Sequence, residues 1–172
     1  MMATTFDADL RELSAAWPLN HDGGSAVIPQ VVAVCVSGGG IPKIPLQRAV
    51  VTPHGIEGDG HAHDKHIRLD RAVSLFDLEI LKDLVAQGFS LQPGSAGENL
   101  TVVGLRVQSL SRGTRLRIGN VVLQLEEPRK PCYVLDAIDE RLKDAIAGRC
   151  GYMASVIQPG IIHPALEIKV AN

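Results

Sequence analysis

Leu116-Arg117-Ile118-Gly119-Asn120-Val121-Val122-Leu123-Gln124-Leu125 is the stretch whose reading decides the fold. Two short apolar runs, Leu116–Ile118 and Val121–Leu125, flank Gly119-Asn120, a two-residue pair that favours a tight hairpin reversal. Outward from this hairpin the same signature recurs. Val31–Val36 is a continuous apolar strand, Ala49–Thr52 a second, and Ala72–Phe76 and Leu100–Val103 are shorter candidates. Downstream, Tyr152–Ile157 and Leu166–Val170 flank Pro159-Gly160. Two helices interrupt the series. One runs from about Asp77 to Gln87, with Leu78, Leu81, Leu84 and Val85 on one face and Gly88 as its stop. The other spans Val134 to Ile146, with Val134, Ile138, Leu142 and Ile146 on one face and acidic residues and Lys143 on the other. Many short strands that do not alternate regularly with helices point to a mainly β, α+β protein built on a closed or partly open β-barrel, rather than a doubly wound parallel sheet.

The chain has 172 residues, enough for one domain with a sizeable core. Residues 1–29 read as an N-terminal helix and flexible linker, and 30–172 as the domain. In the first part, Phe6, Leu10, Leu13 and Trp17 recur at helical spacing, Pro18 ends the helix, and Asn20-His21-Asp22-Gly23-Gly24-Ser25 follows. Aromatic residues make up 3%, which argues against the stacking platforms that bind single-stranded nucleic acid. The formal charge of −2 gives no reason to expect a polyanion partner. No apolar stretch is long enough to span a bilayer, and the N-terminus lacks the cationic start and apolar block of a secretory signal. Cys35, Cys132 and Cys150 form an odd, sparse set, which suggests a reducing, cytoplasmic setting rather than a disulfide framework.

Four clusters carry candidate chemistry. In Ser37-Gly38-Gly39-Gly40-Ile41-Pro42-Lys43, glycines allow close backbone approach and Lys43 can meet a phosphate as a point charge; a plain flexible turn is the simpler reading. His54-Gly55-Ile56-Glu57-Gly58-Asp59-Gly60-His61-Ala62-His63-Asp64-Lys65-His66 offers imidazoles enough for a zinc or iron site if the rings converge, and otherwise a polar loop. In Pro93-Gly94-Ser95-Ala96-Gly97-Glu98-Asn99-Leu100, Asn99 offers a donor and an acceptor to a polar ligand, or satisfies the turn backbone. Glu127-Pro128-Arg129-Lys130-Pro131-Cys132-Tyr133 sets a thiol beside two cations at the start of the second helix. Cations and a helix start both favour the thiolate, which can bind a soft metal, carry sulfur or attack an electrophile. Cys35, inside an apolar strand, reads as core filler.

Taken in order, these clusters resemble the MOSC domain, the C-terminal domain of molybdenum cofactor sulfurases that also occurs as small stand-alone bacterial proteins. The matching residues are Ser37-Gly38-Gly39 with Lys43, Gly55-Ile56-Glu57-Gly58-Asp59 with His61, and Arg71-Ala72-Val73-Ser74-Leu75. They continue through Pro93-Gly94, Gly97-Glu98-Asn99-Leu100-Thr101, Gly113, Leu116–Gly119 and Pro131-Cys132. The resemblance implies a β-barrel core, a molybdopterin-type molybdenum cofactor and a role for Cys132 as catalytic thiolate and molybdenum ligand, or as the carrier of a persulfide. It also assigns Lys43, Gly58, Asp59, His61, Arg71, Glu98, Asn99 and Arg129 to the cofactor site. The implied activity is reduction of N-oxygenated small molecules; sulfur transfer, and a non-catalytic barrel that binds an anion or a partner, are the alternatives. Electrons or sulfur would come from a redox partner or a sulfur donor protein. Some stand-alone members carry His-Gly-Gly where this chain has His66-Ile67-Arg68, which implies a different subgroup.

Overall fold

The computed structural model describes residues 27–60 and 68–171. The helix expected over 4–17, its linker, and His61, His63 and His66 lie outside them. The hairpin forms as its sequence requires. Arg115–Ile118 (β7) and Val121–Pro128 (β8) pair antiparallel, with Ile118 opposite Val121 across the Gly119-Asn120 loop. The remaining strands are β1 (Gln30–Val36), β2 (Ile44–Leu46), β3 (Ala49–Thr52), β4 (Gly55–Ile56), β5 (Val73–Asp77), β6 (Leu100–Val103), β9 (Tyr152–Gln158), β10 (Gly160–Ile162) and β11 (Ile168–Ala171). They form an eight-stranded sheet in the order β11-β7-β8-β9-β5-β6-β1-β2 and a three-stranded sheet, β10-β3-β4.

Three strands are absent from the sequence reading for physical reasons. β4 and β10 are too short to show a period, and Pro45 disguises β2. Because proline cannot donate to a ladder, a strand containing it belongs at a sheet edge, where β2 lies. The large sheet also does not close, which corrects the closed-barrel expectation. It ends on β11 at one side and β2 at the other, and both are short. One corner is laced instead: Val31 N–H donates to Leu166 O (2.9 Å) and Ile168 N–H donates to Pro29 O (2.7 Å).

The main core lies between the two sheets. Leu75, Leu100, Leu116, Leu123 and Leu125 of the large sheet meet Val51, Ile56 and Ile162 of the small one. The centre of the large sheet is covered on its other face as well, so β5 buries every residue, the polar Ser74 and Asp77 included. β5 and β6 are its parallel pair, joined through α1 (Leu78–Ala86). Leu78, Leu81 and Leu84 of α1 join Phe76 and Val103 in a second apolar cluster. The helix ends as its sequence predicts: Gly88 N–H donates to Val85 O and Phe89 N–H to Leu84 O, a Schellman closure with Phe89 packed back on the cluster.

The second helix differs from expectation. It breaks into a 3-10 turn, Tyr133–Ala137, and α2 (Leu142–Ile146). Asp139 makes the break: its Oδ1 accepts the Arg141 N–H at 2.9 Å, so the side chain takes a donor that a continuous helix would use. Ile138, Leu142 and Ile146 of the expected apolar face still pack on the second cluster, while Leu135 takes the place expected for Val134. Among the described residues no helix is long and apolar enough to cross a membrane.

Asp77, at the junction of β5 and α1, is 2% exposed. Burial, reinforced by the nearby Glu79 charge, pushes its carboxyl up from 3.8 to about 6 despite the bond it accepts from Val107 N–H. A carboxyl raised in the folded state contributes stability that is fully present below its unfolded value and lost as the pH rises through the folded one. Asp77→Asn is therefore expected to gain on the wild type by about 2–3 kcal/mol between pH 4 and pH 7.5. Denaturant midpoints of both proteins at the two pH values test this, and a pH-independent difference counts against it.

Candidate functional site

The ends of several strands meet in a cleft of about 450 Å³, within the usual range of a small-molecule site. Its polar floor is organised by Asp59, which follows β4. Asp59 Oδ1 accepts the N–H of Ser37, the residue after β1, at 3.0 Å. Asp59 Oδ2 accepts from Asn99 Nδ2 at 2.8 Å and from the Lys43 ammonium in a close ion pair. Lys43 and Asp59 are 12% and 6% exposed, so this pair is only weakly screened by water.

Lys43 is brought to the floor by a backbone contact. Its N–H donates to Gly94 O at 2.9 Å, and a Cβ on residue 94 would stand 2.2 Å from Lys43 O. Only glycine permits that approach. Glu98 secures the turn from behind: Oε1 accepts from Gly94 N–H (2.7 Å) and Thr101 Oγ1 (2.8 Å), with no exposed surface. Its Oε2 has no hydrogen-bond partner among the described residues.

The opposite wall is the end of β8 and the segment after it. Two register shifts bend β8 against β9, the second between Leu125 and Glu127. Beyond the bend, Glu127 pairs with Arg71 at the rim, both side chains being more than a third exposed. Arg129 is held differently. Its Nη2 donates to Ala96 O at 2.9 Å and its Nη1 to Cys150 O at 3.4 Å, and it has no carboxylate partner among the described residues. Lys130, exposed beside it, has none either. The wall thus keeps an excess of positive charge, with one guanidinium fixed in advance.

Cys132 lines this cleft and is exposed. The turn it precedes is only five residues long, so the helix-start contribution expected from sequence is slight, and Arg129 and Lys130 are the cations that share its cleft. The other thiols are of another kind. Burial pushes Cys35 up to about 12 and also raises Cys150, which packs in the helical cluster. A larger hollow of about 640 Å³, lined by Ile41, Leu91, Ile138, Ser90, Gln92 and Ser95 among others, holds no ionisable side chain.

Of the residues singled out from sequence, Lys43, Asp59, Arg71, Asn99, Arg129 and Cys132 line the one cleft. Glu98 and Gly58 do not: Glu98 is a buried strut, and Gly58 sits exposed in the turn before Asp59. His61 lies outside the described residues, and His54 sits in an exposed turn. The Ser37–Gly40 loop is stitched to itself, Ser37 Oγ donating to Gly40 O, and is not part of the cleft lining. Two lining residues have no role in the sequence reading: Ser74, quoted there only within the Arg71–Leu75 motif, and Met153; a serine between the apolar Val73 and Leu75 was the available signal.

The profile of the MOSC domain matches residues 62–169, well over half of the chain. The chain belongs to the MOSC domain family. Among its relatives is the protein YiiM of Escherichia coli, 32% identical over 142 residues, which cover 77% of this chain and 63% of YiiM. A protein named reductase from Gibberella moniliformis is 30% identical over 118 residues, covering 63% of this chain and 21% of that protein. The chain thus spans less than two thirds of the length of these curated relatives. The crystal structure of the YuaD protein of Bacillus subtilis superposes with a TM-score of 0.71 at 19% identity, over 84% of this chain and 96% of that one. That likeness concerns the fold alone.

Proposed function

We propose that this MOSC protein binds a molybdenum cofactor in the cleft, with Cys132 as thiolate ligand, and reduces N-oxygenated small molecules. The observation that carries the reading is the conjunction of an exposed thiol with two cations lacking carboxylate partners in a single cleft. Among the described residues no three His, Cys, Asp or Glu side chains converge as a metal cage. A single soft ligand next to a fixed guanidinium suits a metal carried on an anionic organic group. Arg129 and Lys130 would hold the phosphate of that group, Lys43 would face it from the floor, and Cys132 would take the metal. When bound, the group supplies two-electron reduction. An N–O bond of the substrate breaks, two electrons and two protons enter, and water leaves; the electrons come from a partner reductase. The reductase relative is consistent with chemistry of this class. The test is metal analysis of protein made in a host that synthesises the cofactor and in one that does not. Stoichiometric molybdenum in the first alone is expected, and its absence from both overturns the reading.

The exposure of Cys132 also favours a second reading, transfer of sulfur as a persulfide. Intact mass after incubation with a cysteine desulfurase and cysteine would then show one added sulfur that is lost in Cys132→Ser.

The fixed cation predicts a measurement free of any metal. Arg129→Gln keeps a polar side chain, shorter than arginine, but removes the charge. Inorganic pyrophosphate is expected to bind the variant at least about tenfold more weakly, with a shallower salt dependence. Calorimetric titration at two ionic strengths reads this, and equal affinities would remove Arg129 from the site.

A further inference from the structure

Asn99 was expected to face the ligand, yet its amide has no bonding capacity left to offer. Its Oδ1 accepts from Ser74 N–H at 3.1 Å and Ser74 Oγ at 3.0 Å. Its Nδ2 donates to Cys35 O at 3.2 Å and to Asp59 Oδ2 at 2.8 Å. The orientation of the amide is fixed, because a backbone N–H can only donate and a backbone carbonyl can only accept. The residue is 4% exposed and is anchored further by its own N–H, which donates to Ser74 O at 3.0 Å. A side chain clamped between β5 and β1, the strands on either side of β6, thus presents one N–H to one oxygen of Asp59, the oxygen that Lys43 also contacts.

We propose that Asn99 is a positioning residue that touches no ligand itself, but fixes the Asp59 carboxylate and through it holds the Lys43 ammonium at the floor of the cleft. The inference builds on the reading that Lys43 serves an anion in this cleft. With the amide in place, Asp59 Oδ2 is shared between two donors and Oδ1 is tied to Ser37 N–H, so the carboxylate cannot rotate. Lys43 is then held at a set point although its chain is long and flexible. Ser74 supports the arrangement one step further back, which accounts for a serine between Val73 and Leu75 in β5.

The test reads Lys43 directly and contains no ligand. A limiting amine-acylating reagent is applied to the folded protein, and the rate of modification at Lys43 is followed by peptide mass spectrometry across pH 7–9. An ammonium held by a carboxylate is a poor nucleophile. Asp59→Asn is expected to raise the Lys43 rate at least about tenfold, Asn99→Ala to raise it similarly, and the double variant to go no further. A purely structural role predicts a lower melting temperature for Asn99→Ala with the wild-type Lys43 rate, and that result overturns the proposal, as does a doubly additive effect. Cys35, buried next to this site, reports on local opening. If a thiol probe reaches it in Asn99→Ala, the decision passes to Ser74→Ala, which loses the hydroxyl's contacts with Asn99 and Gly97 but keeps the bond from Ser74 N–H to Asn99 Oδ1; a raised Lys43 rate supports the proposal and an unchanged rate defeats it. Metal content plays no part in the assay, so failure here leaves the molybdenum reading standing, and an empty cleft in metal analysis leaves this result standing.

Discussion

On the proposed reading, Cys132→Ser is expected to empty the cleft of molybdenum while leaving the fold intact. Cys132 is exposed, forms no disulfide and belongs to neither apolar cluster. An oxygen in place of sulfur there should change stability by less than about 0.5 kcal/mol. A hydroxyl is a far poorer partner for a soft metal than a thiolate, so the loss of occupancy should exceed the roughly tenfold typical of removing a supporting group around a metal. Metal analysis of both proteins from one cofactor-competent host, with melting curves on the same samples, measures both halves. Undiminished molybdenum in a folded variant would remove Cys132 from the metal. Equal metal loss in Cys35→Ser, a buried thiol outside the cleft lining, would show that any damage to the domain empties it.

Gly151→Ala carries the largest expected cost in stability. Gly151 links Cys150 to β9 at a φ of +86°. A Cβ there would lie 1.9 Å from the carbonyl oxygen of Leu75 in β5, at the centre of the large sheet. No side chain can swing aside, because the obstacle is backbone buried on both faces. β9 would have to leave β5, and Arg129, whose N–H donates to Gly151 O at 2.9 Å, would move with it. The expected loss is about 4 kcal/mol or more, with a fall in melting temperature of about 10 °C. Gly148→Ala is the comparison: its φ is also positive, at +74°, but its added Cβ meets nothing within 4 Å. Only the backbone conformation is strained there, at a cost of about 1–2 kcal/mol. Similar effects for the two variants would mean that the contact with Leu75 does not matter.

What the sequence made legible follows from how far each signal reaches along the chain. The β7–β8 hairpin, the closure of α1 at Gly88 and the inert character of Cys35 all depend on neighbours a few residues away, and all three are found. The broken second helix was missed because Asp139 reads as one more solvent-facing acid in a helical period; only its capture of the Arg141 N–H reveals the break. Motif order drew attention to Lys43, Asp59, Asn99, Arg129 and Cys132, but said nothing of their division of labour. Glu98 and Asn99 are adjacent, yet one is a strut behind the Pro93–Gly97 turn and the other brackets Asp59. That difference depends on partners such as Cys35, sixty-four residues from Asn99, which no local pattern contains.

The bonds that define the cleft have a temporal meaning. Asn99 reaches Asp59 across 40 positions, Arg129 reaches Ala96 across 33, and Arg71 meets Glu127 across 56. No continuous fragment shorter than the span from Ser37 to Met153 contains the full wall, so nothing can be captured while that span is still being synthesised. Non-local pairings of this kind close late and slowly. The site is therefore complete only once most of the domain has been made. On the proposed reading a ligand would join that completed site and raise its stability by mass action.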